Sequence, residues 1–335
     1  MSEPMDESFS DEPEIIANSI RDWGEAVLAA HERIRTVVRR TPVEEISDIF
    51  PGCGSHVYAK LENEQETGSF KLRGATNRIL QLTSYEKTLG VVAASNGNHG
   101  LGVAASAQRV GISAEVYVSD QVAPQKAKRI EEFGARIQRA GSDPLDAEVT
   151  GRQRAMESGR VFISPYNDWD VLAGQGTIAV ELLEQIPELD AVFVAVGGGG
   201  LIGGIGAYLK HASPKTEVVG CWPENSPVLY ESIKAGWILP VEEKPTISES
   251  TAGGLEEGSV TLEVCNAVVD QCVLVSEKEI LEAMRLVRRS KQWLVEGAAG
   301  VAIAAFLKTA ERYKGKTVAI IICGGNLSQR VKDLL

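Results

Sequence analysis

Three times along this chain a short apolar run breaks into a polar, glycine-rich turn. Gly90-Val91-Val92-Ala93-Ala94 leads into Ser95-Asn96-Gly97-Asn98-His99-Gly100, and Ala191-Val192-Phe193-Val194-Ala195-Val196 leads into Gly197-Gly198-Gly199-Gly200. Thr317 to Ile322 leads into Cys323-Gly324-Gly325-Asn326. Apolar runs of this length suit strands buried on both faces of a parallel sheet. A polar turn at the end of such a strand is where an α/β protein builds a ligand site. A fourth stretch, Thr67-Gly68-Ser69-Phe70-Lys71-Leu72-Arg73-Gly74-Ala75, follows the alternating strand His56 to Glu62. It places one lysine after an aromatic residue at a helix start, where an amine kept from water loses proton affinity and becomes a nucleophile. A solvated Lys-x-Arg pair is the plain alternative.

Between these points strand and helix alternate. Apolar residues keep to one helical face from Pro13 to Arg35, and Arg40-Thr41-Pro42 stops regular helix. Strands are expected at 114–118, 135–138, 161–163 and 217–222, and helices at 101–108, 124–133, 277–291 and 298–309. The alternation predicts parallel sheets with helices on both faces, in two lobes. The expected division is a large domain of 13–85 plus 168–335, a small inserted domain of 86–167, and a flexible acidic tail at 1–12. At 335 residues and 44% hydrophobic the chain can bury a large core. Its net charge of −12 argues against nucleic acid or an anionic membrane as partner. Five cysteines without C-x-x-C spacing suggest neither disulfide framework nor zinc site, which fits a reducing, cytoplasmic setting. No apolar run reaches about 18 residues, and the N-terminus lacks the basic-then-apolar pattern of a leader.

Four glycines after a strand and before a helix leave N–H groups bare, which suits a phosphate. A dinucleotide is the competitor, and a packed turn with no ligand the plain alternative; the acid expected about 20 residues beyond a G-x-G-x-x-G turn is missing. Asn98 and His99, read in a turn at a strand end, can donate hydrogen bonds to a phenolate or carboxylate; Asn98 could equally be a helix cap. Cys323 reads as a buried thiol, able to offer a neutral contact to a heterocyclic nitrogen. Glu296, alone in an apolar, small-residue stretch, needs a partner.

These motifs, with Ala173-Gly174-Gln175-Gly176-Thr177, resemble in order the signature set of pyridoxal-phosphate enzymes of the tryptophan-synthase β fold (fold type II). More narrowly they resemble the serine/threonine dehydratase and serine racemase group, over about residue 25 to the end. The resemblance implies a two-lobed, three-layer parallel-sheet α/β fold. It implies pyridoxal 5'-phosphate on Lys71 as a Schiff base, with Phe70 against the ring, Asn98 on the ring's 3-oxygen, Gly197, Gly198, Gly199 and Gly200 on the phosphate and Cys323 on the pyridine nitrogen. Ser95, Asn96 and His99 would receive the substrate carboxylate. A neutral group at the pyridine nitrogen weakens the electron sink and favours loss of a β-substituent. The substrate amine would displace Lys71, whose amine takes the Cα proton while the β-hydroxyl leaves, aided by the cofactor phosphate. A 2-oxo acid and ammonia follow.

Departures from the pattern bear on specificity. Asn96 stands where racemases of the group have a serine acting as second acid/base, so racemisation is disfavoured. Trp222 and Val228 replace the acids of the racemases' divalent-cation site, so no metal is expected there. Ala252-Gly253-Gly254-Leu255-Glu256-Glu257-Gly258 replaces Ala-Asp-Gly and is expected to reshape the substrate pocket. With the chain stopping at Leu335, end-product feedback is not expected. The expected activity is an ammonia-lyase for a β-hydroxy-α-amino acid, threonine or serine by default, in a homodimer. A 3-hydroxyaspartate or phenylserine dehydratase, suggested by Gly253 and the 256–257 acids, and a racemase are the alternatives. A non-catalytic binding module would be expected to lack Lys71, and an oxidoreductase to carry the missing acid.

Overall fold

The computed structural model describes residues 12–335. Of the acidic segment expected to be a tail, residues 1–11 lie outside the described residues. In chain order the elements begin with α1 (Glu12–Ile34), β1 (Val43–Glu45), β2 (His56–Lys60), α2 (Lys71–Leu80), α3 (Ser84–Leu89), β3 (Val91–Ala94) and α4 (Asn98–Val110). Then come β4 (Ala114–Val118), α5 (Pro124–Glu132), β5 (Arg136–Arg139), α6 (Pro144–Ser158), β6 (Val161–Phe162) and α7 (Trp169–Gln185). The remainder comprises β7 (Ala191–Ala195), α8 (Gly200–Ala212), β8 (Glu217–Pro223), α9 (Val228–Ala235), α10 (Val260–Val268), β9 (Gln271–Val275), α11 (Glu277–Lys291), α12 (Gly297–Thr309), β10 (Thr317–Ile321) and α13 (Gln329–Lys332).

The strands form two sheets. One runs β1-β2-β10-β7-β8-β9 and the other β5-β4-β3-β6. Every pairing is parallel except β1 with β2, which is antiparallel. The unbroken apolar runs fit the parallel pairing: β7 and β3 are buried at every position, as strands covered on both faces must be. The core of the six-stranded sheet centres on Phe193, Phe306, Trp222 and Ile320. That of the four-stranded sheet includes Val91, Val103 and Val116 but also Ala75, Ile79 and Val171 from α2 and α7. The helix that begins at Lys71 thus turns its apolar face into the smaller sheet's core, packed against α4 and α7.

Two strands escape the sequence reading. β1 is three residues long with two exposed acids, an edge strand without an apolar signal. β9 pairs with β8 from Val219↔Gln271 to Pro223↔Val275. The first turn of α4 also comes earlier than expected, so Asn98 and His99 belong to the helix start.

Sheet order positions the site. β2, β10 and β7 are neighbours with parallel register, Ile321 opposite Lys60 and Ile320 opposite Phe193. Their C-terminal ends release the lysine loop, the Cys323 turn and the glycine turn side by side, the usual place for a ligand in an open parallel sheet.

Candidate active site

The loop before Lys71 is held as a short extra strand. Ser69 bridges Gly324, Phe70 N donates to Cys323 O at 3.1 Å, and Gly325 N donates to Gly68 O at 3.0 Å. Gly68 adopts φ +77°, and a Cβ there would come within 2.8 Å of the Asn326 side chain. Lys71 is the first residue of α2. Its Nζ donates to Pro165 O at 2.8 Å and lies 5.1 Å from the centre of the Phe70 ring. Burial lowers its pKa to about 8, against the opposing pull of Cys323 and Glu296. A sizeable fraction of this amine is therefore neutral at physiological pH, as nucleophilic attack requires.

Arg73, two residues on, is fully buried rather than solvated. Its guanidinium donates to both oxygens of Glu62 at 2.8 Å and to Glu181 at 2.7 and 2.9 Å. Lys60 Nζ completes the cluster, donating to Glu181 at 2.6 Å. Two cations and two anions thus neutralise one another beneath α2, and each is hydrogen-bonded, the condition for burying charge.

The glycine turn is a cradle without side chains. Gly199 adopts φ +88°, and the first turn of α8 begins at Gly200. A Cβ on Gly198 would sit 2.5 Å from the Tyr166 ring, and one on Gly197 would sit 2.9 Å from Thr251 backbone. What remains is backbone N–H at a helix N-terminus, which attracts an anion.

Asn98 Nδ2 donates to Glu296 Oε1 at 2.8 Å and Oε2 at 3.0 Å, and Asn98 Oδ1 accepts from Asn326 Nδ2 at 2.7 Å. Glu296 also accepts from Asn326 N at 2.8 Å and Ser250 Oγ at 3.0 Å. Burial raises its pKa, while these donors pull the other way. Cys323 is 3% exposed, and burial pushes its thiol up, keeping it neutral.

The structure modifies two sequence expectations about donors. Asn96 turns its amide onto Ser119, Nδ2 donating to Ser119 Oγ and Oδ1 accepting from Ser119 N, both at 2.8 Å. His99 places Nε2 2.7 Å from Ile163 O. A carbonyl only accepts, so the ring proton sits on Nε2 and Nδ1 is an acceptor. Burial, with Lys71 nearby, lowers His99 to about 3, so the ring stays neutral. The donors left at this loop are Ser95 Oγ, which itself accepts from Gly97 N at 3.1 Å, and the backbone of the first turn of α4. Sequence reasoning assigned no role to Pro165, Tyr166, Ser250 or Asn326; only Asn326, inside a quoted motif, carried a signal.

The 250–258 loop is tied across the molecule. Glu256 pairs with Arg152 of α6 and accepts from Asn167 Nδ2 at 2.9 Å, while its N–H donates to Tyr166 Oη at 3.0 Å. Its charge is thus spent on Arg152. No group of three or more His, Cys, Asp or Glu able to hold a metal ion occurs among the described residues. No helix there is long and apolar enough to cross a membrane.

Known proteins resemble this chain in sequence and in fold. A family model described as pyridoxal-phosphate dependent enzyme matches residues 34–324. The L-threonine ammonia-lyase of Thermotoga maritima is 38% identical over 309 residues, 92% of this chain and 77% of that protein. The beta-hydroxyaspartate dehydratase of Paracoccus denitrificans is 36% identical over 304 residues, 90% of this chain and 96% of that protein. The structure of maize serine racemase superposes with a TM-score of 0.87 at 30% identity, covering 92% of this chain and 95% of that one.

Proposed function

Because the chain belongs to the family of pyridoxal-phosphate dependent enzymes, we propose that it is a lyase removing water from a β-hydroxy-α-amino acid, threonine or serine first, to release a 2-oxo acid and ammonia. The fold is type II, and pyridoxal phosphate is the cofactor. The residues present fit that group. Buried polar atoms with no protein partner include Thr67 Oγ1, Ser69 Oγ and His99 Nδ1, and the glycine cradle has no space for a side chain. The observation that carries the reading is Lys71, a half-buried amine titrating near 8 beside that cradle and Cys323.

Lys71 would hold the cofactor, Gly197 to Gly200 its phosphate, Asn98 the ring oxygen and Cys323 the ring nitrogen, with Phe70 against the ring. Bound there, the group supplies an aldehyde that joins an amino acid's amine and a ring that draws electrons from its Cα. Ser95 and the N–H groups at the start of α4 would take the carboxylate, with Asn96 and His99 shaping the loop behind them. Lys71, once displaced, would take the Cα proton, a role suited by a pKa lowered to about 8, which leaves part of the amine unprotonated. Cys323, neutral because buried, supplies no proton to the ring, which favours elimination. Asn96, engaged with Ser119, offers no second acid/base for racemisation. We place the small lobe at 86–167 and the active unit in a cytoplasmic homodimer.

Lys126 supports a second reading. It lies on α5 with its nearest acid, Glu249, at 4.0 Å, and it is close enough to Glu296 to pull that acid's pKa down. A cation so placed suits a β-carboxylate, as on a 3-hydroxyaspartate; the relative in Paracoccus denitrificans is named for such a substrate.

The test is to load the purified protein with pyridoxal phosphate, record its visible absorbance, and assay 2-oxo acid and ammonia across a panel of hydroxy amino acids. A visible band and both products from one panel member are expected. Turnover by Lys71→Ala at the parent rate would sink the proposal.

A further inference from the structure

The amide of Asn98 is one link in a chain of hydrogen bonds whose two ends are chemically unambiguous. At one end Arg129 Nη1 donates to Asn326 Oδ1 at 2.7 Å. Asn326 Nδ2 then donates to Asn98 Oδ1 at 2.7 Å and to Thr67 O at 2.8 Å. At the other end Asn98 Nδ2 reaches both oxygens of Glu296. A guanidinium can only donate, and a backbone carbonyl or ionised carboxylate can only accept. Turning either amide over would set NH₂ against NH₂, or carbonyl oxygen against carboxylate. The direction of both amides is therefore dictated by Arg129, Thr67 O and Glu296. The contacts on Glu296 come from Asn98 Nδ2, Asn326 N and Ser250 Oγ, all donors.

We propose that Arg129 and Glu296 are positioning residues that hold the Asn98 amide in a single orientation, nitrogen toward Glu296, so that Asn98 meets the bound cofactor as a hydrogen-bond donor. This rests on the reading above that Asn98 contacts the cofactor ring. Neither residue need touch the cofactor itself. The relay also ties the two sheets together. Arg129 on α5 and Asn98 on α4 flank the four-stranded sheet, whereas Asn326 follows β10 and Glu296 precedes α12 on the six-stranded one. The chain of bonds crosses between them at each step, so the donor is fixed only while the two are in register.

Three variants test the relay: Glu296→Gln, whose amide can itself donate and so removes the fixed end, Arg129→Met, and Arg129→Lys, which keeps a donor. In the cofactor-free parent, the side-chain amide protons of Asn98 and Asn326, identified by their loss in Asn98→Asp and Asn326→Asp, should exchange slowly with solvent. They should exchange faster in Glu296→Gln and Arg129→Met. The pyridoxal-phosphate dissociation constant should rise about tenfold in Glu296→Gln, the size of one charge-assisted hydrogen bond. It should rise less in Arg129→Met and return toward the parent value in Arg129→Lys, and the visible absorbance of loaded Glu296→Gln should shift. Fast amide exchange in the parent overturns the proposal. So do melting temperatures that fall in Glu296→Gln and Arg129→Met while affinity and absorbance stay within twofold of the parent, the pattern of mere scaffolding. Slow exchange in a parent that binds no pyridoxal phosphate points instead to failure of the functional reading and removes the cofactor half of the proposal.

Discussion

Lys71 shows how a single side chain acquires chemistry from where its backbone is held. At the start of α2, with its amine on Pro165 O and little water around it, the ammonium is disfavoured and titrates near 8 instead of 10.5. Only the neutral amine attacks an aldehyde. The rate at which cofactor-free protein takes up pyridoxal phosphate should therefore climb as pH rises through about 8 and level off above it. Stopped-flow absorbance would show this, and a rate still climbing in proportion to hydroxide at pH 10 would place the amine in open water. His99 is shifted in the same direction and leaves the physiological range altogether. Lowered to about 3 by burial and Lys71, with Nε2 on Ile163 O, it should show no imidazole titration between pH 5 and 8 by NMR, and a step in that window would contradict its hydrogen bonding. At this scale the sequence was informative where residues cluster in a turn. Lys71, Asn98, Gly197 to Gly200 and Cys323 stand out because each follows a strand signal. It was uninformative about hydrogen-bond direction: nothing in Ser95-Asn96-Gly97-Asn98-His99 says that Asn96 turns to Ser119.

An element keeps its place through residues remote in sequence. α2 is pinned at its start by Arg73, which binds Glu62 eleven positions back and Glu181 more than a hundred positions on. No local spacing joins these acids to Arg73, so the ion cluster could not be read from motifs. The alternating run 56–62, which suggests one wet face, in fact buries both Lys60 and Glu62 completely. Removing one charge strands the others. Glu62→Gln should destabilise the fold by about 3–5 kcal/mol, the usual cost of breaking a buried ion pair, as measured by urea unfolding. A loss below about 1 kcal/mol would mean that water reaches Arg73. The glycine turn is an opposite case, held by lack of bulk. Gly198→Ala forces a Cβ to within 2.5 Å of the Tyr166 ring, so the ring or the turn must shift. Weaker pyridoxal-phosphate binding, read by equilibrium titration, is the expected result; unchanged affinity would show that Tyr166 swings aside freely.

For the molecule as a whole, the question is what holds the two sheets in the relation that the site requires. Their cores are not separate, since Ala75, Ile79 and Val171 from helices flanking the expected domain boundary sit in the smaller sheet's core. Both parallel sheets, though not their strand order, were legible because buried parallel strands write unbroken apolar runs. The sharing of α2 between them was not, because a helix face does not record which sheet it meets. Across the remaining interface the ties are polar: Arg129 to Asn326, Asn167 and Arg152 to Glu256, and Arg109 to Glu66. Such ties contribute little to stability, because Arg152 is 36% exposed and water screens its pairing. They can still bias how often the sheets close on a substrate. Glu256→Ala should therefore leave the unfolding midpoint and pyridoxal-phosphate affinity nearly unchanged while raising KM up to about fivefold, the equivalent of a pair worth roughly 1 kcal/mol. Salt should narrow the gap between variant and parent, since it screens the same pair in the parent. Lost cofactor affinity would carry a different message. Glu256 N donates to Tyr166 Oη, and Tyr166 walls the glycine turn, so that outcome would make Glu256 a support of the phosphate cradle and not a clasp between the sheets.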